Sequence, residues 1–293
     1  LKLKLKANMA DQNPLYNKLT KPIRDSKMDL ILNQLPVSEL FPKDLEFNFK
    51  ERLTVKNKLL DKFIPWVHDF FTGLDGFKYK YIANGNSDAV NMVLLQHNYD
   101  KIFYLENEYS YYSHICNSLK LRSEVFNEIS IDKITINDLV LISLPSSYDG
   151  DSEGKIKIIN ELQKRNCKVF VDVAYCGLTK PFNFHFQSTK NTYFAFTFSK
   201  TLSLAYNRIA VIFSDTEIPG LAVMNKIGYL NLSGANAALT LMNNFKPDYV
   251  YETYKDQYST ICSRLNLTET KCILFGHDIA GDKFCTSQEY TLF

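Results

Sequence analysis

Along this chain, short apolar runs end in polar clusters, and amphipathic stretches at helical spacing lie between them. The first stretch, residues 1–16, is expected to be extended around its Asn13–Pro14 step. A helical pattern at 26–35 gives way to a link carrying Pro36 and Pro42. Residues 51–71 place Leu53, Leu59, Leu60, Phe63, Val67 and Phe70 near helical spacing, with Pro65 interrupting. Strand-like runs then occupy 79–83, 101–105, 124–126, 139–144, 168–173, 193–196 and 209–213. Helical stretches at 89–96, 109–121 and 154–163 fall between them, and Ser87 or Asp88 is placed to cap the first. Strand-helix alternation on this scale predicts an α/β fold, a mostly parallel sheet with helices on both faces. Such sheets collect ligands at the carboxyl ends of their strands. The polar clusters 84–88, 146–149, 172–175 and 197–200 all fall at such ends. Beyond 213, an apolar, small-residue-rich stretch (221–242) and a long helical pattern (248–265) lead to strand-like 272–275 and 290–293.

Composition narrows the function more than the fold. A chain of 293 residues suffices for one large core and a smaller satellite. Its 34 basic and 32 acidic residues leave a net charge of +2, so no overall field favours nucleic acid. The opening Leu-Lys repeat lacks the apolar core of a signal peptide, and no run approaches the ~20 apolar residues of a membrane span. A cytoplasmic protein is expected. The six cysteines include no C-x-x-C pair and the five histidines are dispersed, which argues against a metal site.

The chemistry centres on Thr197-Phe198-Ser199-Lys200 and on Arg208, eight residues further on. A lysine at the end of a buried strand is partly desolvated, which lowers its pKa and makes the amine a usable nucleophile. Short hydroxyls and a planar guanidinium beside it suit a phosphate dianion. Pyridoxal 5'-phosphate carries both an aldehyde for the amine and a phosphate for the donors.

Further motifs extend this reading. Asp172-Val173-Ala174-Tyr175 resembles the D-x-A-Y of the fold-type I pyridoxal-phosphate enzymes, in the class I/II aminotransferase group. Thr197–Lys200 resembles their S-x-S-K, with the lysine 28 positions after the aspartate (200 − 172), and Arg208 stands where their phosphate-binding arginine stands. Residues 84–89 are similar to the N-G-S-D-E turn of histidinol-phosphate aminotransferase-like members, with one residue extra and Ala89 for the glutamate. Asp11 to Tyr16 more faintly resembles their N-E-N-P-x-G start. The resemblance implies a large cofactor-binding domain over 44–216, with 1–43 and 217–293 forming an arm and a shortened α+β domain.

It also implies roles. Lys200 would form a Schiff base with the cofactor and later move the substrate's α-proton. Asp172 would pair with the pyridine nitrogen, Tyr175 would bond the ring's phenolic oxygen, and Tyr109 would stack on the ring. Ser87 and Asp88, Thr197, Ser199 and Arg208 would hold the phosphate at a helix N-terminus. Ser147 stands where the family has an asparagine directed at the phenolic oxygen. Ser203 and Ala210 replace glycines that usually follow the lysine and the arginine. The arginine that usually grips the substrate carboxylate has no counterpart, since Arg264 is the last arginine. The resemblance implies an aminotransferase acting on a small amino donor and acceptor, as a homodimer. A lyase or decarboxylase on the same machinery and a non-catalytic member remain alternatives.

Overall fold

The computed structural model describes residues 21–35, 49–187, 191–287 and 289–292. The expected extension at 1–16, the Asp11–Tyr16 resemblance, the link at 36–42 and the 43/44 boundary lie outside them. In chain order the described helices are α1 (Ser26–Asn33), α2 (Phe49–Trp66), α3 (Asn86–Leu94), α4 (Tyr111–Ser118), α5 (Glu153–Lys164), α6 (Phe198–Thr201), α7 (Pro219–Lys226), α8 (Leu232–Asn244) and α9 (Tyr249–Arg264). The strands are β1 (Phe71–Thr72), β2 (Tyr79–Ala83), β3 (Ile102–Leu105), β4 (Ser123–Phe126), β5 (Leu139–Ser143), β6 (Lys168–Asp172), β7 (Phe184–His185), β8 (Thr192–Thr197), β9 (Ala210–Ser214), β10 (Thr268–Glu269), β11 (Phe275–His277) and β12 (Lys283–Cys285).

Seven strands form one sheet in the order β2-β9-β8-β6-β5-β3-β4. Every neighbouring pair is parallel except the two that involve β9, so β9 alone runs backwards. The α/β architecture predicted from the sequence is therefore present. Successive residues of a strand face opposite sides of a sheet, and both sides are apolar here. Val140, Ile142, Val169, Val171, Phe194 and Phe196 enter one core, while Leu139, Leu141, Phe170, Tyr193 and Ala195 enter the other. Burial on both faces is why these strands read as continuous apolar runs rather than alternating ones.

The first core is largely aromatic. Phe63 of α2 meets Phe196, Phe198 and Phe213 with ring centroids 5.0, 5.9 and 5.8 Å away, all edge-on. Edge-to-face contacts of this kind contribute about 0.5–1.5 kcal/mol each beyond the area they bury. They fix the strand end that leads into Lys200.

Several boundaries differ from the sequence expectation. α3 starts at Asn86, ahead of the proposed caps, because Gly85 (φ +91°) makes the entry turn and accepts the first helical bond from Ala89 N. The apolar stretch 221–242 is split between α7 and α8 around Gly228, at φ +70°. Ile273 and Leu274 form a turn, so the strand expected at 272–275 lies at Phe275–His277. The strand expected at 290–293 is instead a 3-10 turn at Glu289–Leu292. In it Tyr290 is buried and donates its hydroxyl to Ile273 O at 2.6 Å. Cys272 lies at an isolated bridge to Thr179, and β10, β11 and β12 form a small antiparallel sheet. Among the described residues no helix is long and apolar enough to cross a membrane.

Candidate active site

Register decides which strand ends can meet. Ser143 on β5 pairs with Asp172 on β6, and Asp172 with Ala195 on β8. Thr197 on β8 and Ala83 on β2 both pair with Ala210, the first residue of β9. Since β9 is reversed, the residues before it, including Arg208, sit at the same edge as the carboxyl ends of the other strands. A single edge thus gathers side chains from five segments.

Asp172 shares its face of β6 with Phe170, the face covered by α3 and α4. It is 4% exposed. Asn86 Nδ2 donates to its Oδ1 at 2.5 Å, Ala174 N to Oδ1 at 3.0 Å, and the Tyr112 hydroxyl to Oδ2 at 3.2 Å. Burial nonetheless pushes the carboxyl pKa up to about 6, against the pull of these bonds and of Lys200.

Lys200 is carried by α6, a single turn whose entry is capped by Thr197, with Oγ1 accepting from Ser199 N at 3.2 Å. Thr201 ties that turn to the loop after Asp172 by donating to Cys176 O at 2.6 Å. The amine lies 5.3 Å from the centre of the Tyr175 ring. Burial lowers its pKa from the ordinary 10.5, Asp172 opposes that shift, and the charges of Lys283 and Arg208 add to it. A desolvated amine and a buried carboxyl thus line one cavity, each with its charged form disfavoured by burial.

Eight of the ten residues singled out in the sequence line one cavity of about 200 Å³: Ser87, Tyr109, Asp172, Tyr175, Thr197, Ser199, Lys200 and Arg208. The other two are engaged elsewhere. The Asp88 carboxylate accepts from Asn84 N at 2.9 Å, although its backbone N–H still belongs to the open first turn of α3. Ser147 donates its hydroxyl to Glu108 at 3.2 Å, and Ser143 lines the cavity instead. Tyr109 is 42% exposed as a residue, but desolvation of its hydroxyl raises its pKa, and the neighbouring Ser87 side chain opposes that shift.

Sequence reasoning passed over three participants. Asn86 bonds both Asp172 and Ala195 O through Nδ2, which leaves its buried Oδ1 without a partner beside the cavity. Its position within the 84–88 turn was the available signal. Tyr112 is one helical turn from Tyr109 and fully buried. Glu108 is held by Lys155, whose Nζ donates to Oε1, and by the hydroxyls of Ser143 (2.6 Å) and Ser147. No sequence pattern marks that pairing. Among the described residues, no cluster of three His, Cys, Asp or Glu side chains is arranged to hold a metal ion.

Solved structures share this architecture. One is the L-threonine-O-3-phosphate decarboxylase of Porphyromonas gingivalis, with a TM-score of 0.64 at 14% identity over 88% of this chain and 80% of that one. Another is the histidinol-phosphate aminotransferase of Clostridium acetobutylicum, at 0.59 and 13% over 85% and 75%. The PLP-bound C-S lyase of Staphylococcus hominis matches at 0.59 and 12% over 78% and 70%. The chain has the fold of the fold-type I pyridoxal-phosphate enzymes. No protein-family model and no curated protein matches its sequence. At 12–14% identity the likeness lies in the fold.

Proposed function

We propose that this chain is a pyridoxal-phosphate-dependent enzyme of the aminotransferase type. The observation that carries the reading is the convergence of Lys200, Asp172 and Arg208 on one cavity at the switch edge of the sheet. The donor set fits the cofactor. An amine with lowered pKa suits its aldehyde, a buried acid suits its ring nitrogen, and Arg208 with the Thr197 and Ser199 hydroxyls suits its phosphate. The open first turn of α3 adds backbone N–H groups and a favourable dipole there. Bound in this cavity, pyridoxal phosphate supplies an aldehyde for covalent capture and a ring that accepts electrons from the substrate carbon.

The protein's part is then to hold and to move protons. Lys200 takes and returns the proton at the substrate α-carbon through Nζ. Asp172, oriented by Asn86 and Tyr112, holds a positive charge at the ring nitrogen. Tyr175, whose ring lies beside Lys200 Nζ, would bond the cofactor's phenolic oxygen. The same residues support lyase or decarboxylase chemistry, and the C-S lyase and decarboxylase among the similar structures keep that as the second reading. We read the chain as a homodimer, in which Tyr206, 95% exposed two residues before Arg208, becomes covered.

Adding pyridoxal phosphate to the purified protein is expected to produce a visible absorbance band. Borohydride should then fix the cofactor to the peptide containing Lys200, read by mass spectrometry. Labelling of another lysine, or none, rejects the reading. Half-reactions with a panel of amino acids, followed for the pyridoxamine form, separate transamination from lyase chemistry.

Gly85 offers a test of the phosphate cup. It sits at φ +91°, and a Cβ there would lie 2.3 Å from Arg208 Nη2. Alanine is strained at that φ, and the flexible guanidinium is the part that must give way. Gly85→Ala is expected to weaken pyridoxal phosphate binding about tenfold or more, the worth of one charge-assisted hydrogen bond. Equilibrium titration of the visible band reads the effect, and unchanged affinity would remove Arg208 from the cup.

A further inference from the structure

Asn86 is the first residue of α3, lines the cavity at Lys200 and is 6% exposed. Its Nδ2 stands 2.5 Å from Asp172 Oδ1 and 3.0 Å from Ala195 O, on the paired strands β6 and β8. Two acceptors around one atom identify it as the nitrogen, because a reversed amide would set oxygen against oxygen twice. The amide is therefore held one way round, and its oxygen is left buried with no partner among the described residues. An orphaned buried acceptor is a cost, so the two bonds of Nδ2 are what maintain the arrangement. They also settle how Asp172 faces the cavity. Its Oδ1 accepts from Asn86 Nδ2 and from Ala174 N at 3.0 Å, which fills both lone pairs. Among the described residues its Oδ2 accepts from the Tyr112 hydroxyl alone, at 3.2 Å, and keeps one lone pair. Matching Ser87 and Asp88 to the S-D of the N-G-S-D-E turn leaves Asn86 as the residue this chain has in addition. The contact to Asp172 is thus made by a residue for which that turn has no counterpart.

We infer that Asn86 is the positioning residue of the ring acid: it closes Oδ1 of Asp172 and reserves Oδ2 for the cofactor's ring nitrogen. This rests on the reading above and deepens it. Because Nδ2 holds Ala195 O as well, the carboxylate is tied to β8, the strand that leads into Lys200. Asn86 also belongs to the open first turn of α3, so the ring acid, the lysine strand and the phosphate cup share one anchor. Its donor favours the charged carboxylate, against burial. Lys200 and Tyr112 face Asp172, while Tyr109, Tyr175 and Arg208 line the same cavity. All of these stay unchanged in the variants that follow.

The test uses Asn86→Ala, alone and combined with Asp172→Asn, on the full chain. Without cofactor, the pH dependence of denaturant unfolding reports on Asp172. In wild type this carboxyl's contribution to stability falls as pH rises and levels off near its folded pKa of about 6. Losing one donor to a carboxylate is expected to move that upper end to about pH 7 or above in Asn86→Ala. Pyridoxal phosphate is expected to bind Asn86→Ala about tenfold more weakly than wild type near neutral pH, read by titration of the visible band. In the Asp172→Asn background the same change should alter affinity less than about threefold, since no carboxylate remains to be positioned. Melting curves establish folding, and Asn86→Ser, with a single hydrogen to donate, repeats each measurement. An upper end that stays where wild type has it in both variants overturns the inference. So does an equal loss of affinity with and without the Asp172 carboxylate, which would make Asn86 part of the scaffold alone. If the band forms in none of these proteins, wild type included, the cofactor reading fails, and unfolding without cofactor still decides Asn86.

Discussion

Lys200→Ala is expected to lower turnover by about 10⁴-fold or more, because one side chain supplies both covalent capture and proton transfer. Each role alone rests on the same physical fact, the desolvation of an amine on the one-turn helix α6. Burial lowers the Lys200 pKa, so the amine is neutral over a range in which an exposed lysine is charged. Initial rates on the alkaline side should therefore rise through an apparent pKa below 10.5, the ordinary lysine value. That limb should vanish in Lys200→Ala and return in part when a small primary amine is added to the cavity the side chain leaves. The cofactor should still bind, through Arg208 and the α3 turn, but without covalent fixation by borohydride. A Lys200→Ala protein that keeps within tenfold of wild-type turnover would show that another base does the work.

Much of this site was legible because strand ends announce themselves. Asp172, Thr197 and Lys200 each follow an apolar run, and a parallel sheet brings such ends to one edge whatever the intervening sequence. Arg208 was legible for a subtler reason. It precedes β9, the single reversed strand, and only that reversal puts a strand's beginning beside the other strands' ends. Neither strand pattern nor composition reveals the direction, so the position came from family spacing. Ser147 shows the limit of that approach. Spacing put it against the cofactor, but a serine is too short to reach far, and a buried carboxylate at Glu108 claims its hydroxyl. The pairing of Glu108 with Lys155 spans 47 positions and belongs to no local pattern. The start of α3 was misplaced because caps were sought among hydroxyl and acidic residues, whereas Gly85 makes the turn through its backbone. Lys283 was invisible for a related reason. It lies on a strand of three residues, and its Nζ contacts Phe275, eight positions away on the neighbouring strand, and Ser147 O, 136 positions away.

Asp172→Asn is expected to separate stability from activity. The carboxyl is held up to about 6 in the folded chain by burial, against an ordinary 3.8. Between roughly pH 4 and 6 the folded chain therefore binds more protons than the unfolded one, and this group's contribution to stability falls as pH rises. Above that window the penalty is constant, on the order of 3 kcal/mol for a shift of about two units. Asparagine cannot ionise, and its amide oxygen still accepts from Asn86 Nδ2 and Ala174 N. The Tyr112 hydroxyl can turn to accept from the new amide. Without cofactor, the variant should match wild type below about pH 4 and exceed it at pH 7, read from denaturant unfolding. Activity should move the other way, falling about 10³-fold, because a neutral amide cannot hold the positive charge at the ring nitrogen. The wild-type penalty should shrink once cofactor is bound, since a cationic partner returns Asp172 to its charged form. Cofactor should consequently stabilise wild type more than Asp172→Asn, and equal stabilisation of the two would dissolve the pairing.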